Sequence, residues 1–121
     1  MRMTRRARWM MAIGWSVVMV AVSDWPRRPD VVNESDKLVH IAAYGVLAFL
    51  VARAVNDYRR NRWQLWLAVL VGCVSFAGLD EFHQSFISYR SADIADWLAD
   101  CIGVLIGSLA CIAARPPDDH A

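Results

Sequence analysis

The sequence predicts an all-α, polytopic membrane helical bundle of four transmembrane helices, and three observations carry that prediction. Apolar residues make up 57% of the 121-residue chain, and the mean hydropathy of +0.29 is above that of a water-soluble domain. These residues gather in four runs separated by short polar stretches. Six Trp in so short a chain add a residue type that favours membrane interfaces. Nucleic-acid binding is excluded, because the arginines sit beside the apolar runs and form no basic stripe.

Four helices are expected within one domain, 1–121. A bilayer core of about 30 Å needs roughly 20 apolar residues per helix. The first helix, about 9–25, is the short one: Trp9 to Val22 is apolar, Arg2, Arg5, Arg6 and Arg8 precede it, and Trp25 and Pro26 extend it into the interface. Ala21 and Ser23 also suit a signal-peptide cleavage site, and retention as a transmembrane helix is the favoured reading. The second, third and fourth helices are expected at about 38–55, 63–82 and 94–114. Pro116 and Pro117 stop the last of them, leaving 115–121 as a disordered tail.

Charge sets the expected orientation. With the N-terminus inside, Arg2, Arg5, Arg6, Arg8, Arg53, Arg59, Arg60, Arg62 and Arg115 are cytoplasmic, against Arg27, Arg28, Lys37 and Arg90 outside. That asymmetry places both termini in the cytoplasm of a multi-pass inner-membrane protein. The carboxylates are distributed the other way, so the polar chemistry faces outward. Cys73, Cys101 and Cys111 each lie in an apolar run without metal-ligand spacing and read as packing residues.

Ionisable groups at the mouth of a membrane helix cost several kcal/mol unless paired or wet, so each is a candidate functional residue. Asp36, His40 and Tyr44 recur at i, i+4 and i+8 at the start of the second helix and share one face; Lys37 lies beside them. Ser35 or Asp36 suits the N-cap. The second cluster runs from Asp80 to Asp96 and holds Asp80, Glu81, His83, Gln84, Arg90, Asp93 and Asp96. In the fourth helix Asp93, Asp96, Asp100, Gly103 and Gly107 form one helical stripe, acids above and a GxxxG pattern below. Close packing beneath and acids above describe the wall of a polar recess. Arg90 is expected to pair with Glu81 or Asp96.

Two strings, Asp36-Lys37-x-x-His40-x-x-x-Tyr44 and Asp80-Glu81-Phe82-His83-Gln84-Ser85-Phe86, followed by Arg90-Ser91-Ala92, Asp96, Asp100, Gly103 and Gly107, resemble the VanZ-like family of small bacterial membrane proteins, named for the teicoplanin-resistance protein. The resemblance covers most of residues 36 to 107. It implies an integral membrane protein whose polar positions fall on Asp36, Lys37, His40, Glu81, Gln84, Arg90 and Asp96. Asp100 stands where many members have Asn. The family name implies low-level resistance to a lipoglycopeptide.

Three functions fit these residues. The first is a non-enzymatic envelope protein whose outward polar pocket (Asp36, Lys37, His40, Tyr44, Glu81, His83, Gln84, Arg90, Asp96 and Asp100) binds membrane lipid, a lipid-linked cell-wall precursor or a lipoglycopeptide. No cofactor or resident metal is expected on this reading. The second is an intramembrane enzyme acting on a lipid phosphate or glycolipid, with Glu81 or Asp96 as base and His40 or His83 as acid. A metal-dependent version would use His40, Glu81, His83 and Asp100. Neither HExxH nor GxSxG is present to support it. The third is a structural or assembly subunit whose Gly103 and Gly107 face makes a dimer.

Overall fold

The computed structural model describes residues 2–23, 35–56, 62–86 and 94–114, and these form four α-helices: α1 (Arg5–Ser23), α2 (Ser35–Val55), α3 (Arg62–Gln84) and α4 (Ile94–Ala113). The expected N-cap side chains at Ser35 and Asp36 and the tail 115–121 lie outside the described side chains. Helix α1 starts at Arg5, ahead of the expected residue 9, because the Thr4 hydroxyl accepts the Ala7 amide at 3.2 Å and satisfies an otherwise open first-turn donor.

Three of these helices are long and apolar enough to cross a membrane: Lys37–Val55, Trp63–Gln84 and Ile94–Ala113. Three of the four expected spans are thus shown, and α1 is not a clear span by length and composition. Arg5, Arg6 and Arg8 occupy its first turn. At 1.5 Å per residue, the apolar stretch from Trp9 to Val22 covers only about 21 Å of a roughly 30 Å core.

Burial is inverted relative to a water-soluble core. The interior is built largely from small side chains, among them Ala48, Ala54 and Ala77, with the polar Asp100 and Ser108 fully enclosed. Large apolar residues such as Met10, Val71, Ile94 and Ile106 face outward. In water this arrangement would expose a large apolar surface. In lipid, helices gain most from close backbone approach, and small residues allow it.

The tightest approach is between α2 and α4. A Cβ at Gly103 would overlap the backbone carbonyl of Ile41, and one at Gly107 would overlap that of Gly45. The matched steps, 41 to 45 and 103 to 107, mean the two helices run parallel in fixed register. The GxxxG face is therefore spent on an intramolecular contact, which corrects its reading as a dimer surface.

The other helices seal this pair. Trp97 of α4 donates its indole N–H to the Val74 carbonyl of α3 at 3.4 Å, and Trp66 of α3 donates to Ser108 Oγ of α4 at 3.3 Å. Helix α1 packs on α2: Ala12 is buried, and Trp15 donates its indole N–H to the Ala43 carbonyl at 3.0 Å.

Candidate functional site

The α2–α4 register sets the position of the polar side chains. Asp100 lies one turn before Gly103, and His40 lies one residue before Ile41, the residue Gly103 touches. Backbones that meet there leave the two side chains in hydrogen-bonding range, and His40 Nδ1 is 2.6 Å from Asp100 Oδ1. Asp100 is fully enclosed and the His40 side chain is 11% exposed. Asp100 Oδ2 meets no hydrogen-bond donor among the described residues.

Helix α3 contributes the third wall. Its buried Glu81 brings a carboxylate oxygen into the same cluster, so that one ligand atom each from His40, Glu81 and Asp100 lie within 4.8 Å of one another. Gln84, one turn further along α3, is also buried. On the adjoining face Tyr44 donates its hydroxyl to Asp80 Oδ2 at 3.0 Å. The Tyr44 ring packs at 6.2 Å from that of Phe76, one turn before Asp80.

Beside this cluster, a cavity of about 210 Å³ opens between α1, α2 and α3. Trp15, Val18, Met19, Val22, Val39 and Ala43 give it apolar walls, and His40, Tyr44, Asp80 and Gln84 give it a polar lining.

The predicted site residues separate into three groups. His40, Tyr44, Glu81, Gln84 and Asp100 come together. Lys37 and His83 do not: both are exposed, and their place in the pocket is corrected. For His83 the reason is rotational. It follows Glu81 by two residues, about 200° around α3, so both cannot face α2 and α4. The expected four-ligand metal set therefore loses His83. Asp96 is half-buried one turn before Asp100. The side chains of Asp36 and Asp93, and Arg90 with its predicted ion pair, lie outside the described residues.

Asp80 belongs to the second cluster read from the sequence, but the predicted pocket takes its neighbour Glu81 and leaves Asp80 out. The available signal was its i, i+4 relation to both Phe76 and Gln84, which places the three on one face of α3.

A helical bundle with spans of membrane length and a histidine–carboxylate cluster closed between its helices defines a membrane-helix protein with an internal polar centre. The profile of the VanZ/LLP1 family matches residues 4–115, and the chain belongs to that family, as its motifs implied. Among curated proteins, "Uncharacterized protein C11E3.10" of Schizosaccharomyces pombe is similar, 31% identical over 98 residues, covering 77% of this chain. The chain spans 57% of that relative's length. No solved structure matches.

Proposed function

We propose that the protein is a multi-pass component of the cell's inner membrane, α1 serving as a fourth span with both termini cytoplasmic, and that it binds the head group of a lipid-linked precursor or lipoglycopeptide. The observation that carries this reading is the 210 Å³ cavity, apolar on the α1 side and lined by His40, Tyr44, Asp80 and Gln84 on the other. An amphiphile needs that combination: hydrocarbon walls for its tail and a few placed polar groups for its head. Placement of α1 matters here, because Trp15, Val18, Met19 and Val22 supply much of the apolar wall. A contribution to low-level glycopeptide resistance fits the family name and follows if the bound head group belongs to a cell-wall precursor or to teicoplanin itself.

The test is binding by the full chain in lipid nanodiscs, using teicoplanin and an undecaprenyl-linked precursor as separate probes. Gln84→Ala and the cavity-filling Ala43→Leu are expected to weaken binding of the true ligand at least tenfold. Equal binding by both variants and the wild type defeats the proposal.

A second reading, an intramembrane enzyme acting on a lipid phosphate or glycolipid, is favoured by one observation. His40 and a Glu81 oxygen stand within 4.8 Å, a gap that a single bridging water spans for proton transfer. Release of phosphate or sugar from the same probes, abolished in Glu81→Gln, would select this reading over simple binding.

A further inference from the structure

We propose that His40, Glu81 and Asp100 form a site for one divalent metal ion of the class that accepts imidazole nitrogen and carboxylate oxygen together, Zn²⁺ or Mn²⁺. The inference does not depend on which amphiphile enters the neighbouring cavity.

The donor geometry is the first argument. One nitrogen and two carboxylate oxygens, from three different helices, lie within 4.8 Å of one another. Donors bound about 2.1 Å from a common ion stand within about 4 Å of each other, so the cluster needs only side-chain rotation to close. The tightest pair, His40 Nδ1 and Asp100 Oδ1 at 2.6 Å, would open to about 3 Å as an ion enters between them.

The second argument is independent of the cluster's shape. Asp100 is 0% exposed, yet its Oδ2 meets no donor among the described residues. A buried carboxylate oxygen without a partner is costly. A proton shared with His40 serves Oδ1 and leaves Oδ2 unserved. A cation bound to the carboxylate serves both oxygens.

Charge balance is the third. A divalent ion, two carboxylates and a neutral imidazole sum to zero, so the assembly adds no net charge to the apolar interior. The mixed donor set suits Zn²⁺ or Mn²⁺ better than the softer ions that require thiolates. Cys73 and Cys101 are not part of this donor group. Three protein donors also leave coordination positions open, as in sites that bind a further ligand, and His40 lines both the cluster and the cavity.

The experiment uses the full chain purified in mild detergent, stripped with chelator and dialysed against Zn²⁺ or Mn²⁺, with bound metal read by plasma mass spectrometry and melting temperature recorded in parallel. About one equivalent of one of these ions is expected, with a higher melting temperature than the stripped protein. His40→Ala and Asp100→Asn should weaken retention at least tenfold, while His83→Ala, at an exposed position, should retain the full equivalent. Glu81→Gln keeps the side-chain size and serves if another variant fails to accumulate. Less than a tenth of an equivalent of either ion in the wild type overturns the site. Undiminished binding by Asp100→Asn or Glu81→Gln overturns it equally.

Discussion

Among the described residues, two cavities of nearly the same size lie at opposite ends of the bundle, about 210 Å³ beside His40 and about 230 Å³ beside Asn56. Their chemistry differs. The second is lined by Ala52, Val55, Leu65, Val69 and Ile112, with Trp63, Trp66, Asn56 and Ser108 as its polar-bearing groups. Among the described residues none that lines it is ionisable, and the polar contacts described beside it are neutral: Trp66 to Ser108 at 3.3 Å and Asn56 to Cys111 Sγ at 3.6 Å. The first end holds Asp80, Glu81, Asp100 and His40 within or beside its cavity. Space alone does not mark a site in a helical bundle. What separates the ends among the described residues is that one keeps charge-bearing groups where hydrocarbon makes them expensive, and such groups persist when they are joined to one another and to a task.

The largest expected effect comes from the contact that positions that end. Gly107→Leu forces a side chain into the Gly45 carbonyl, a backbone atom that cannot rotate away, and should destabilise the bundle by about 3 kcal/mol or abolish its accumulation. Gly14→Leu is the matched control: a Cβ at Gly14 meets nothing within 4 Å, so melting in detergent should be nearly unchanged. Equal tolerance of both substitutions would mean that α2 and α4 do not meet as described.

Next in size is His40→Ala. It leaves the enclosed Asp100 without the partner at 2.6 Å, and removing one member of a buried pair costs about 3 kcal/mol. At the other end Asn56→Ala removes only a bond to sulfur, a weak acceptor, and should cost less than about 1 kcal/mol. The contrast in melting temperature between these two variants measures the asymmetry of the ends directly. Comparable losses would remove it.

The fold was largely legible in the sequence, because apolar run length and loop charge are local properties of the chain. Membrane crossing by three of the helices and the family were both readable. The first helix was harder: Trp9 to Val22 reads as a span only if Arg5, Arg6 and Arg8 stand outside it, and the Thr4 cap draws them in. The candidate site was legible in part. The stripe of Asp100, Gly103 and Gly107 showed that something must approach closely, but spacing on one helix cannot say whether the partner is another helix of the chain or a second copy. The structure assigns that role to α2. Choices between adjacent residues were least legible. Asp80 and Glu81, or His83 and Gln84, differ by about 100° of helix rotation, and which one faces inward depends on where α2 and α4 lie.

Smaller effects test whether the two ends are energetically separate. Tyr44→Phe removes a 3.0 Å hydrogen bond to a carboxylate and should cost about 2 kcal/mol. Trp66→Phe removes a 3.3 Å bond between neutral groups and should cost about 1 kcal/mol. Tyr44 and Trp66 bond to different residues, Asp80 and Ser108, and sit beside different cavities, so the double variant should lose the sum of the two within about 0.5 kcal/mol. It should also bind amphiphile and metal as Tyr44→Phe alone does. The common element is α4, which carries Asp100 at one end and Ser108 at the other, eight residues or about 12 Å apart along its axis. A coupling larger than about 1 kcal/mol would mean that α4 transmits displacement between the ends as a rigid rod, and the neutral cavity would then have to be counted as part of the charged site's machinery.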